Sequence, residues 1–186
     1  MKTRLPLVIL FLVLLAIVPF ITEGSAQEAT HVTLGPVIGL PGNEVSLPIY
    51  LETAPGVEVG SIVLEIIFPH ALLSFLNARE SFLTTTAGGR LAVEVETRDK
   101  GKDHSVVRLV IETAQGKSRT PLPDGQLGFV TFQISTEAPM STKIRLEVAA
   151  RVMALGDPAG PVEPVVVHDG EISVGNLLFA CFFYMH

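Results

Sequence analysis

The run Val59-Gly-Ser-Ile-Val-Leu-Glu-Ile-Ile-Phe-Pro-His-Ala-Leu-Leu-Ser-Phe75 constrains this chain more than any other. Ile62, Leu64, Ile66 and Phe68 recur at the period of two that a pleated strand imposes, so they share one face. Ser61 and Glu65 fall on the other face together with Val63 and Ile67. The first face is therefore a core face, and the second is only partly polar. Pro69 cannot donate to a sheet ladder and restricts Phe68 to extended geometry, so the strand must end there and the chain must turn before Leu72 and Leu73.

The same alternation recurs along the chain. His31 to Val37 reads as a first strand, followed by a Leu40-Pro-Gly-Asn43 turn. In Glu44 to Glu52, Val45, Leu47, Ile49 and Leu51 point one way, and Pro48 suggests an edge strand or a donor position turned to solvent. Leu72 to Ala78 makes a short strand, and Thr84 to Gly89 a polar loop. Leu91, Val93 and Val95 face in, as do Val107, Leu109 and Ile111. The charged turn Arg98 to Asp103 joins these two strands into a hairpin. Further strands run from Leu127 to Ile134, from Lys143 towards Leu155, and from Val165 to Val174, the last interrupted by Asp169-Gly170. With turn signals between them and hardly any helical period, these segments specify an all-β chain. The expected fold is a two-sheet β-sandwich of about nine strands with jelly-roll or Greek-key topology. A hydrophobic content of 48% suits two sheets that share one core.

The two ends differ from this pattern. Lys2 and Arg4, an apolar run from Leu5 to Ile21 and the small residues before Gln27 have the form of a secretory signal peptide over residues 1–26. Residues 27–175 are then the folded domain. Residues 176–186 are a short hydrophobic tail, about half the length that would cross a bilayer. An exported, extracellular or cell-surface domain normally draws on disulfides, yet Cys181 is the only cysteine and lies in the tail, so stability must come from burial. Without Lys2, Arg4 and Glu23 the chain keeps 11 basic and 18 acidic side chains, a formal charge of −7, with no basic cluster. That balance disfavours nucleic acid and anionic membrane surfaces as partners, and no membrane insertion of the domain is expected.

Catalytic equipment is hard to find. No serine sits in a Gly-x-Ser-x-Gly setting, and His31, His70, His104 and His168 are scattered singly, so neither a metal nor another cofactor is expected. Glu65, Glu94, Glu96 and Glu112 could share one sheet surface and act as paired carboxylates, but with no pocket or aromatic wall beside them a solvated sheet face is the favoured reading. Sugar-binding platforms stack rings on aromatics, whereas this chain has no Trp and only Tyr50 as a tyrosine outside the tail. A protein-binding face is easier to build. Val63, Ile67 and Val110 would form its apolar centre, with Glu65, Glu94, Glu96, Arg108 and Glu112 as a charged rim.

The order of these signals resembles a cohesin domain. The resemblance rests on Leu40-Pro41-Gly42 before Val45-Ser-Leu-Pro-Ile-Tyr-Leu51, and on the corner Phe68-Pro69-His70-Ala-Leu-Leu73. It rests also on Asp124-Gly125-Gln-Leu-Gly-Phe-Val-Thr-Phe-Gln-Ile134, and spans about Val32 to Val174. The corner departs from the family in having Pro69-His70 where Asp-Pro is common. The resemblance implies a nine-stranded jelly-roll sandwich that is not an enzyme. One face would dock a dockerin-type module or another surface protein, in an extracellular, polysaccharide-degrading assembly. The strands it implies for that face are Ser61 to Phe68, Leu91 to Thr97 and Val106 to Thr113. Carbohydrate-binding modules share the superfamily, so polysaccharide is the alternative ligand.

Overall fold

The computed structural model describes residues 28–94, 103–113 and 120–175. The predicted signal peptide, the hydrophobic tail, Val95, Glu96 and the hairpin turn up to residue 102, and residues 114–119 lie outside the described residues.

Eleven strands and one short helix follow in chain order: β1 (Thr30–Leu34), β2 (Val37–Gly39), β3 (Glu44–Glu52), β4 (Val59–Pro69), β5 (Leu73–Glu80), α1 (Phe82–Thr86), β6 (Gly89–Glu94), β7 (His104–Thr113), β8 (Gly125–Ile134), β9 (Lys143–Ala154), β10 (Val165–His168) and β11 (Gly170–Val174). One sheet has the order β10-β1-β3-β8-β5, the other β2-β11-β9-β4-β7-β6. Their inner faces close on a core that includes Leu47, Ile49, Ile62, Leu64, Ile66, Leu109, Ile111 and Phe132. The alternation of β4 holds along its length, with Ile62, Leu64, Ile66 and Phe68 buried. Beyond Pro69 a turn closed by the Leu72 N–H on the Pro69 carbonyl at 3.1 Å delivers β5 to the opposite sheet. Phe132 of β8 sits between Phe68 and Phe75, edge-on to both, with centroids 4.9 and 5.9 Å away.

Eleven strands replace nine because two of the expected strands change sheets midway. The first breaks at Gly35-Pro36, sending β1 to the five-stranded sheet and β2 to the six-stranded one; the last breaks at Asp169, so that β10 joins the first sheet and β11 the second. The two crossings run side by side, with β1 parallel to β10 and β2 parallel to β11. Gly170 makes this possible, since a Cβ there would lie 2.6 Å from Leu34 Cδ2 and 3.2 Å from Leu47 Cδ2.

Three local expectations change. Strand β3 is not an edge strand, because it lies between β1 and β8. Pro48 is tolerated because β1 ends at Leu34, opposite Ile49; beyond it Gly35 donates its N–H to the Pro48 carbonyl at 2.8 Å. The polar loop after β5 contains α1, capped by Ser81, whose Oγ accepts the Thr84 N–H at 3.2 Å. Thr84 is buried and donates its hydroxyl to the Leu127 carbonyl at 2.7 Å, which anchors the helix on β8. Val93 is on the inner face, paired with buried Leu109, yet remains 37% exposed because β6 is the last strand of its sheet. The hairpin itself is present, β6 pairing antiparallel with β7 from Gly89↔Thr113 to Glu94↔Arg108.

Candidate partner-binding face

The outward side chains of β4, β7 and β9 form one continuous surface. Residues directly opposite one another in an antiparallel pair point to the same side, so the register decides which groups meet. Val63 stands opposite Val110 on β7, Glu65 opposite Arg108 and Ser61 opposite Glu112. Across the other edge of β4, Arg151, Ala149 and Glu147 stand opposite Val63, Glu65 and Ile67. Strand β6 extends the rows, with Ala92 opposite Val110, Glu94 opposite Arg108 and Arg90 opposite Glu112.

Exposure follows the chemistry. Val63, Ile67 and Val110 are half-buried, held between their neighbours, while Glu65 and Glu112 are exposed. Arg108 is half-buried in line with Glu65, and Val106, opposite Ile67, is buried. A depression of about 240 Å³ opens between the rows, lined by Val63, Glu65, Arg108, Ala149, Ala150 and Arg151. The surface is thus a narrow aliphatic strip with charges of both signs along it, on the face turned away from the core.

Six of the eight residues singled out in the sequence are on this surface: Val63, Glu65, Ile67, Arg108, Val110 and Glu112. Glu94 takes its place there by backbone register, and Glu96 lies outside the described residues. Ala149, Arg151 and Glu147 were not anticipated. Their alternation with Val148, Ala150 and Val152 is visible in the sequence, but nothing local says that β9 pairs with β4 across about 80 intervening residues.

Of the carboxylates whose side chains are described, Glu65 and Glu112 do not form a hydrolytic pair. Glu112 is four residues along β7 from Arg108, the partner of Glu65, a separation of roughly 13 Å that exceeds the spacing glycosidases use. Among the described residues no group of three or more His, Cys, Asp or Glu converges on a point that could hold a metal ion. No described helix is long and apolar enough to cross a membrane.

The opposite face, outside the five-stranded sheet, differs in chemistry. It carries Tyr50, 41% exposed, opposite Thr33, and Phe129, over which Arg79 lies with its guanidinium 5.4 Å from the ring centre. Ser46 and Thr131 are joined there by a 2.9 Å hydrogen bond.

This two-sheet sandwich has the cohesin fold, as its likeness to solved structures shows. No family model and no curated protein matches the chain. Among solved structures it is similar to the third cohesin of ScaC from Acetivibrio cellulolyticus, solved in complex with the ScaB dockerin. The TM-score is 0.66 at 16% identity, over 79% of this chain and 99% of that one. It is similar also to a non-cellulosomal cohesin from the hyperthermophilic archaeon Archaeoglobus fulgidus, with a TM-score of 0.63 at 20% identity, over 86% of this chain and all of the other. A cohesin of the Coh-OlpA-Doc918 complex from Clostridium thermocellum gives a TM-score of 0.63 at 12% identity, over 79% and 99% of the two chains. These likenesses establish the fold.

Proposed function

We propose that this protein is an exported, non-catalytic binding module whose outward β4–β7–β9 surface docks a dockerin-type protein module. The observation that carries the reading is the registered strip Val63–Val110 beside Glu65–Arg108 on a fully paired sheet interior. Such a strip needs no ordering on contact, since its backbone is already hydrogen-bonded on both sides, and its mixed charges select a complementary partner. Solved proteins of the same fold include cohesins in complex with dockerins. Export rests on the signal-peptide pattern of residues 1–26, and an extracellular polysaccharide-degrading assembly on the resemblance to cohesins.

The test is titration of the purified domain, residues 27–175, against purified dockerin modules, followed by interferometry or calorimetry. Binding is expected, and Glu65→Lys or Val63→Asp should weaken it by about tenfold or more while leaving the melting temperature almost unchanged. Dockerin binding indifferent to both substitutions would move the site elsewhere. Retention on insoluble polysaccharide that is lost in Tyr50→Ala would replace this reading with carbohydrate binding on the opposite face.

A further inference from the structure

Two of the histidines that look scattered in the sequence meet in the fold. Strand β1 runs parallel to β10 with Thr30↔Val165, His31↔Val166, Val32↔Val167 and Thr33↔His168 in register. Val32 and Leu34 occupy the core, so His31 and His168 both stand on the outer face. Their side chains meet. His31 Nδ1 lies 3.2 Å from His168 Nε2, the ring planes are within 7° of parallel, and the ring centres are 5.5 Å apart. The next residue of that row, directly opposite His31 on β3, is Glu52, which is exposed.

We propose that His31 and His168 form a surface site for a divalent transition cation of the zinc class. In the absence of a cation, one proton shared between the two facing nitrogens satisfies the pair. The same separation also fits two ligands of one ion. Two imidazole nitrogens 3.2 Å apart, each at the usual zinc–nitrogen distance, subtend about 100° at the metal, close to a tetrahedral angle. The ion sits on the solvent side of the line joining the nitrogens, and each ring turns outward about its terminal torsion to aim a lone pair at it. Both rings can do so, since His168 is exposed and His31 is only half-buried. Imidazole selects zinc, nickel or copper over magnesium and calcium, which prefer oxygen. Among the described residues no third His, Cys, Asp or Glu converges on this pair, so water completes the shell. Asp169, although it follows His168, supplies no ligand, because Arg145 and the Val148 N–H already hold both of its oxygens. The consequence of binding is mechanical. Strand β10 is a four-residue edge strand, and a cation bridging it to β1 ties together two ends of the domain that are 137 residues apart.

Calorimetric titration of the full chain with zinc chloride at neutral pH tests this, with magnesium chloride as the comparison. One saturable zinc site and none for magnesium is expected. His31→Ala and His168→Ala should each abolish the zinc site. Zinc should raise the melting temperature of the parent alone, whereas without metal both variants should melt close to the parent, showing that they fold. Zinc binding that survives both substitutions, or the absence of a saturable site in the parent, overturns the proposal.

Discussion

Asp169 takes hold of Arg145 through a single oxygen: its Oδ2 accepts from Nη2 at 2.7 Å and from Nε at 3.0 Å, while Oδ1 accepts the Val148 N–H at 2.8 Å. The residue occupies the turn where the last part of the chain leaves the five-stranded sheet for the six-stranded one, and the pairing of β11 with β9 ends at Gly170↔Leu146. Its carboxylate therefore takes over a backbone donor that the ladder leaves behind. Partial burial pushes the Asp169 carboxyl up, but the Val148 N–H, the Arg145 guanidinium and nearby His168 outweigh it and hold the group below its usual range.

That depression fixes the sign of an acid dependence. A carboxyl whose folded pKa lies below its unfolded value stabilises the fold fully above the unfolded value and ceases to do so as pH falls through the folded one. Asp169→Asn should therefore be destabilised at neutral pH, and the loss of stability below about pH 4 should be shallower than in the parent. Urea midpoints measured from about pH 7 down to about pH 2.5 report this; parallel curves for the two proteins would contradict it. The acid slope should not vanish, because Lys143 also holds the Glu171 carboxyl below its usual range through a 2.8 Å contact.

Neighbouring residues on β4 should separate folding from docking. Ile66 is 0% exposed, so Ile66→Asp places an unpaired charge in the core and should cost about 4 kcal/mol or more, enough to remove the cooperative urea transition. Glu65→Lys alters only the exposed face and should keep that transition, with a midpoint close to the parent. A well-folded Ile66→Asp variant would mean that the inner and outer faces of β4 have been exchanged.

Phe132 should be the most sensitive aromatic. It is 0% exposed and contacts both Phe68 and Phe75, so Phe132→Ala should lower stability by about 3–5 kcal/mol through lost burial and a cavity. Phe82→Ala, at a side chain 83% exposed, should change it by less than about 0.5 kcal/mol. Denaturant titration of both variants checks the pair.

Gly128 should resist the smallest possible enlargement. A Cβ there would come within 2.7 Å of the Arg79 carbonyl oxygen and 3.1 Å of Leu91 Cδ1, and β8 is held by β3 on one side and β5 on the other. Gly128→Ala should therefore cost about 1–3 kcal/mol by overpacking. Gly160→Ala, with nothing within 4 Å of the added atom, should stay within about 0.5 kcal/mol of the parent.

Much of the sandwich is legible residue by residue. The alternation in β3, β4 and β7 names the core side chains, and Pro69 marks the end of β4, because burial on one sheet face and the loss of a backbone donor are local properties. The two sheet changes are not legible, since Gly35 and Asp169 look like ordinary interruptions until the parallel pairing of the chain's two ends is known. Helix α1 escapes too, because Thr84 prefers a helix only once its hydroxyl can reach the Leu127 carbonyl.

For the candidate face, alternation alone puts Val63, Glu65 and Ile67 on the side of β4 opposite the core, and Arg108, Val110 and Glu112 on that side of β7. That those two strands are adjacent, that β9 adds Ala149 and Arg151 beside them, and that His31 meets His168 on the far sheet emerge from the folded arrangement. Side-chain alternation is imposed by each residue's own backbone, whereas strand partners are chosen by how the whole set of apolar faces can be buried at once.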